Sequence, residues 1–139
     1  MTKPLTKSLA LERLTALAQR FKVPVPRLEW SQRARYGQYI LSETTALNPV
    51  TQNPVPLTRI RLGANLTTGS ENALLHEFAH HVAYTRHGWL RGKKAHGALY
   101  TEILIDVVQA WYGDLAKYPW HREYKQVYDY VRSQARRAA

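Results

Sequence analysis

The segment Leu75-His76-Glu77-Phe78-Ala79-His80 sets two histidines four residues apart, with a glutamate beside the first, in the pattern H-E-x-x-H. On a helix, positions i and i+4 share a face, so the imidazoles of His76 and His80 can bind one metal ion. Glu77 lies one position round the helix, where it can accept a proton from a metal-activated water. That makes it the candidate general base. The chain contains no cysteine, so only nitrogen and oxygen ligands are on offer. Zinc suits such a site: it lowers the pKa of its bound water toward neutrality and makes a hydroxide nucleophile available.

A catalytic zinc site commonly has three protein ligands and one open position. The remaining candidates are His81, His87, His96, Glu102 and His121. His81 follows His80 directly and must point to another face. His87 lies seven residues after His80, whereas the compact pattern H-E-x-x-H-x-x-G-x-x-H needs six and an intervening glycine. His96 is favoured. It opens the next helical segment, is followed by Gly97 and then by an aromatic at Tyr100, and a tight loop would swing it back across the first helix. Glu102 is the alternative third ligand, since helix-borne glutamates also bind zinc.

The elements that must position these groups follow from periodicity. Leu5, Leu9, Leu14, Leu17 and Phe21 recur at helical spacing over 5–21, and Pro24 and Pro26 end that helix. Arg27–Trp30, Tyr36–Ser42 and Leu57–Leu62 read as strands, the third at an edge, with breaker-rich chain over 43–56. Ser70 reads as an N-cap and Glu71 favours the positive end of the dipole of a helix over 71–86. Ala73, Leu74, Leu75, Phe78, Ala79, Val82 and Ala83 give that helix apolar packing. A basic loop over 88–95 precedes a helix over 96–112, and Pro119 opens a last helix toward Arg136. The expected class is α+β, in one domain over 1–139.

Residues 72–104 resemble the core of SprT-like metalloproteases, and are similar to small metallohydrolases of actinobacteria and phages. Both have an H-E-x-x-H helix followed about fifteen residues later by H-G-x-x-[F/Y/W]. The resemblance implies that His76, His80 and His96 bind zinc and that Glu77 is the base. It implies that Tyr100 packs behind the third ligand, and that a zincin-like core carries an N-terminal helix and a small three-stranded sheet before the active-site helix. The chain departs from the larger members at Ala98-Leu99, where they commonly have Pro-Glu. It also has no cysteine for their zinc ribbon.

Charge and composition bound the alternatives. Twenty Lys and Arg against ten Asp and Glu leave a net charge of +10, which favours polyanions such as DNA. Arg86, Arg91, Lys93 and Lys94 cluster between the two histidine segments, with no acid over residues 78–101. They are candidate polyanion contacts at the rim of the site. Basic and aromatic residues also interleave in the tail, where Trp120, Tyr124, Val127 and Val131 fall at helical spacing and read as core packing. No signal peptide is read in Met1–Leu11 and no apolar run is long enough for a membrane helix, so a soluble cytoplasmic protein is expected. The expected function is that of a zinc-dependent hydrolase, a metallopeptidase acting on protein or peptide, with the net charge allowing action close to nucleic acid. The alternative is a non-catalytic, basic DNA-binding module with a structural zinc. Tyr36, Tyr39, Tyr100, His81 and His121 stay open as oxyanion stabilisers.

Overall fold

The computed structural model describes residues 6–31, 38–47, 50–52, 54–63 and 70–138. The class is α+β and mostly helical. The elements run α1 (Lys7–Phe21), β1 (Arg27–Ser31), β2 (Gln38–Leu47), β3 (Pro54–Gly63), α2 (Ser70–His87), α3 (Ala98–Tyr112) and α4 (Lys125–Ala138), with short 3-10 turns at Gly92–Lys94, Leu115–Lys117 and Trp120–Arg122.

Helix α1 begins where the Thr6 hydroxyl accepts the Leu9 amide at 3.1 Å, a standard N-cap. It stops at Lys22, whose left-handed φ of 57° turns the chain toward Pro24. The sheet order is β1-β3-β2. β1 pairs in parallel with β3, from Arg27 opposite Arg59 to Ser31 opposite Gly63. β2 pairs antiparallel with β3 and slips register between Leu41 and Thr45. The strand expected at an edge over Leu57–Leu62 is therefore the central one. Its two faces differ: Ile60 and Leu62 are fully buried, while Arg59 and Arg61 pair with Glu29 of β1 across the ladder.

Helix α2 is the hub, touching α1, α3, β2 and β3. Leu74, Leu75, Phe78, Ala79 and Val82 have no exposed surface. Each of the larger ones contributes about 1.5–3 kcal/mol by leaving water. Phe78 meets Phe21 of α1 edge to face at 5.9 Å. The first turn is lashed down by Glu71, which accepts the Trp111 indole N–H of α3 at 2.5 Å and pairs with Arg13 of α1 at 3.4 Å. The N-cap assigned to Ser70 falls on a side chain outside the described residues, and Ser70 itself is the first residue of the helix.

The expected boundaries move in three places. β2 runs on to Leu47 and β3 starts at Pro54, so much of the chain expected to be irregular over 43–56 is strand. Helix α3 starts at Ala98, so His96 lies in the turn ahead of it rather than within it. The helix expected from Pro119 starts at Lys125, because the chain first makes two 3-10 turns. Trp120 and Tyr124 therefore stand outside α4; Val127 is fully buried and Tyr124 is exposed. Among the described residues, no helix is long and apolar enough to cross a membrane.

Candidate metal centre

His76 and His80 project from the middle of α2, as their spacing requires. His96 joins them through two glycine-dependent turns. Gly88 takes a left-handed φ of 79° and its amide closes α2 on the Tyr84 carbonyl at 2.9 Å, which reverses the chain after the helix. Gly97 packs against the preceding turn: a Cβ there would sit 3.3 Å from the Lys93 carbonyl oxygen. The glycine after His96 thus has a steric reason.

The His96 Nε2 lies 3.1 Å from His80 Nε2 and 3.3 Å from His76 Nε2. The ligand atoms of all three fall within 4.8 Å of one another. The edge of a tetrahedron with metal–nitrogen bonds of about 2.05 Å is about 3.3 Å, so the two separations that His96 makes suit edges of a tetrahedral metal site. The donor set is also in a suitable state. Burial drives His80 down to about 3, and the neighbouring His76 and His96 add to the shift. Burial, with His76 beside it, drives His96 down to about 4. Both offer neutral nitrogen at neutral pH, the form a metal needs. A metal ion therefore fits these residues.

Burial also opposes protonation of His76, but the hydrogen bond and charge of Glu123, with Glu77, outweigh it and raise its pKa. The His76 Nδ1–H donates to the Glu123 carboxylate at 2.8 and 3.0 Å. With the proton on Nδ1, Nε2 is the unprotonated nitrogen, and it lies 3.3 Å from His96 Nε2. The Tyr118 hydroxyl donates to the same carboxylate. Burial works to raise Glu123, yet its bonds to His76 and Tyr118 hold it below the usual carboxylate range.

Aromatic rings fix the imidazole planes. Tyr100 stacks on His80 at 4.3 Å and meets His96 edge-on at 5.2 Å. Its face thus serves His80, and the third histidine meets only its edge. Its hydroxyl donates to the His76 carbonyl at 2.8 Å. Tyr124 stacks on His96 at 4.0 Å from the outer side. Glu77 is buried, with Oε1 4.0 Å from His76 Nε2. A cavity of about 230 Å³ opens beside it, with His80 and His96 in its wall.

The other sequence candidates fall away from the cluster. The Glu102 carboxylate accepts the Tyr130 hydroxyl of α4, so the alternative third ligand faces the opposite side of α3. His81 is buried and bonds to the Pro24 carbonyl at 2.6 Å, a structural role. His87 and His121 are exposed. Arg86 turns back to α1, donating to the Phe21 carbonyl at 3.2 Å over the Phe21 ring. Arg91, Lys93 and Lys94 are exposed on the loop beside the cavity. The oxyanion candidates Tyr36 and Tyr39 have side chains outside the described residues. Tyr100 is fully buried with its hydroxyl engaged.

Sequence reasoning missed Glu123, Tyr118 and Tyr124. One faint signal was available: Glu123 and Asp129 are the only acids over residues 115–139, and an isolated acid in a basic, aromatic stretch invites a specific partner. No family model matches the chain, and no curated protein or solved structure matches it either.

Proposed function

We propose that the protein is a zinc-dependent hydrolase of zincin-like, SprT-like type, most simply a metallopeptidase, with His76, His80 and His96 as ligands and Glu77 as general base. One observation carries the reading. His80 and His96, two of the three convergent histidines, border a cavity in whose wall Glu77 also lies. A structural site has its metal closed off by protein, whereas this cluster faces a space that a substrate can enter. Zinc held there would supply Lewis acidity toward water and toward a substrate carbonyl.

The chain's own residues have separable tasks. His80 and His96 present neutral nitrogen. His76 is oriented by Glu123. Glu77 takes a proton from the attacking water and delivers it to the leaving amine. The test is turnover of a casein or peptide-library substrate by the zinc-loaded protein against Glu77→Gln. We expect the variant to keep its zinc and lose about 10²–10⁴-fold in rate. Equal turnover would remove Glu77 from the mechanism.

A second reading, a basic DNA-binding module with structural zinc, is favoured by the exposed Arg91, Lys93 and Lys94 beside the site. It predicts DNA binding that weakens steeply with salt, with a log–log slope reporting the phosphates neutralised. The two readings are compatible, and proximity to nucleic acid would then concentrate the hydrolase near its substrates.

A further inference from the structure

The cavity beside the three histidines has an unequal lining. His80, His96 and Glu77 form its polar end. The rest of the wall is Ala83, Tyr84, Trp89, Leu90 and Ala95, with Gly88 between. The left-handed turn at Gly88 folds Trp89 back over the end of α2, where its ring meets Tyr84 edge to face at 6.0 Å. Trp89 nevertheless keeps 47% of its surface exposed. A large aromatic left half in water at the mouth of an apolar hollow gains free energy when an apolar group covers it.

Size and charge narrow the occupant. Whole small-molecule sites run to about 300–1,000 Å³, and an apolar cavity of about 150 Å³ holds a benzene ring. A volume near 230 Å³ therefore suits one side chain. None of the loop cations Arg91, Lys93 and Lys94 lines the cavity, although all are exposed on the segment that forms it. A cationic side chain would lose hydration against apolar walls while facing those like charges, and an anionic one would be desolvated beside Glu77.

We propose that this cavity is a specificity subsite taking one uncharged, apolar side chain of a peptide substrate, of leucine to phenylalanine size, next to the bond that is cut. The assignment rests on the peptidase reading above. It places substrate choice on Trp89, Leu90 and the small residues Ala83 and Ala95, which leave the space open.

The test is a nuclear magnetic resonance titration of the ¹⁵N-labelled full chain as purified, whatever its zinc content. The probes are N-acetyl-leucinamide, N-acetyl-phenylalaninamide, N-acetyl-glycinamide and N-acetyl-lysinamide, followed at the Trp89 indole and the Gly88 and Ala95 amides. The expected result is binding at least five-fold tighter for the leucine and phenylalanine amides than for the other two. Trp89→Ala should abolish that preference and Trp89→Phe should retain it. Equal binding of all four, or preference for the lysine amide, overturns the subsite. Zinc content and peptide turnover of the same preparation are read separately. A protein that prefers leucine and phenylalanine but turns over no peptide keeps the apolar site and loses the peptidase reading. One that cleaves peptides irrespective of side chain loses only the subsite.

Discussion

Glu123 holds the Nδ1 edge of His76 at 2.8 and 3.0 Å, across 47 residues of sequence. This carboxylate fixes which nitrogen carries the proton and how the ring is turned. Carboxylates in that position typically add 10–100-fold to metal affinity. Glu123→Ala is therefore expected to weaken zinc binding about 10–100-fold, read by competition with a calibrated chelator. An unchanged affinity would show that burial and the Tyr100 contact orient His76 without help.

The third ligand is decided by comparing metal content. His96→Ala removes the nitrogen that lies within 3.3 Å of both others. The expected outcome is loss of most bound zinc from a preparation that otherwise carries about one ion per chain. Glu102→Ala removes a carboxylate bonded to Tyr130, and should leave the zinc in place. Elemental analysis reading the reverse would move the site to the other face of α3.

Stability of the metal-free protein should fall on acidification. His80 and His96 sit near 3 and 4 when folded, against about 6.5 when unfolded. Between those values the unfolded chain binds more protons, so stability is full above about pH 6.5 and is lost as pH falls toward 3–4. Glu123, also lowered, acts in the same direction at the acid end. His76 is raised and acts oppositely: its contribution is present below 6.5 and lost as pH rises through its folded value. The two lowered histidines, with Glu123, set the expected sign. Thermal melts of chelator-treated protein across pH 7 to 4 should show a falling midpoint, and a midpoint rising on acidification would contradict the neutral state assigned to His80 and His96.

Tyr100→Phe isolates the hydroxyl from the ring. The ring face on His80 is kept, while the bond to the His76 carbonyl at 2.8 Å is lost in a fully buried place. A loss of about 1 kcal/mol in urea unfolding, with zinc content unchanged, is expected. Loss of zinc as well would show that the hydroxyl, through the α2 backbone, helps set the ligand geometry.

Much of this was legible in the chain. The pairing of His76 with His80 needs only helical periodicity, and the apolar residues around them specify the helix. Ile60 and Leu62, alternating with Arg59 and Arg61, announce a strand with one buried face. Each of these is fixed by a residue's own chemistry and its neighbours within a turn or two.

The tertiary structure decided what depends on distant segments meeting. β3 is central because β1 comes alongside it in parallel, a crossover that local alternation does not encode. Glu102 and His96 were both plausible ligands by spacing; the turn at Gly97 sends one inward, and α4 captures the other through Tyr130. Glu123 entered the site because two 3-10 turns delayed α4 and brought Glu123 and Tyr124 against the histidines. The sequence by itself determined that His76, Glu77 and His80 stand together on one stretch of helix, since they lie within five residues. The direction of His96, the carboxylate behind His76 and the apolar hollow before His80 were set by packing, because chain path rather than local propensity chooses which distant side chains share a space.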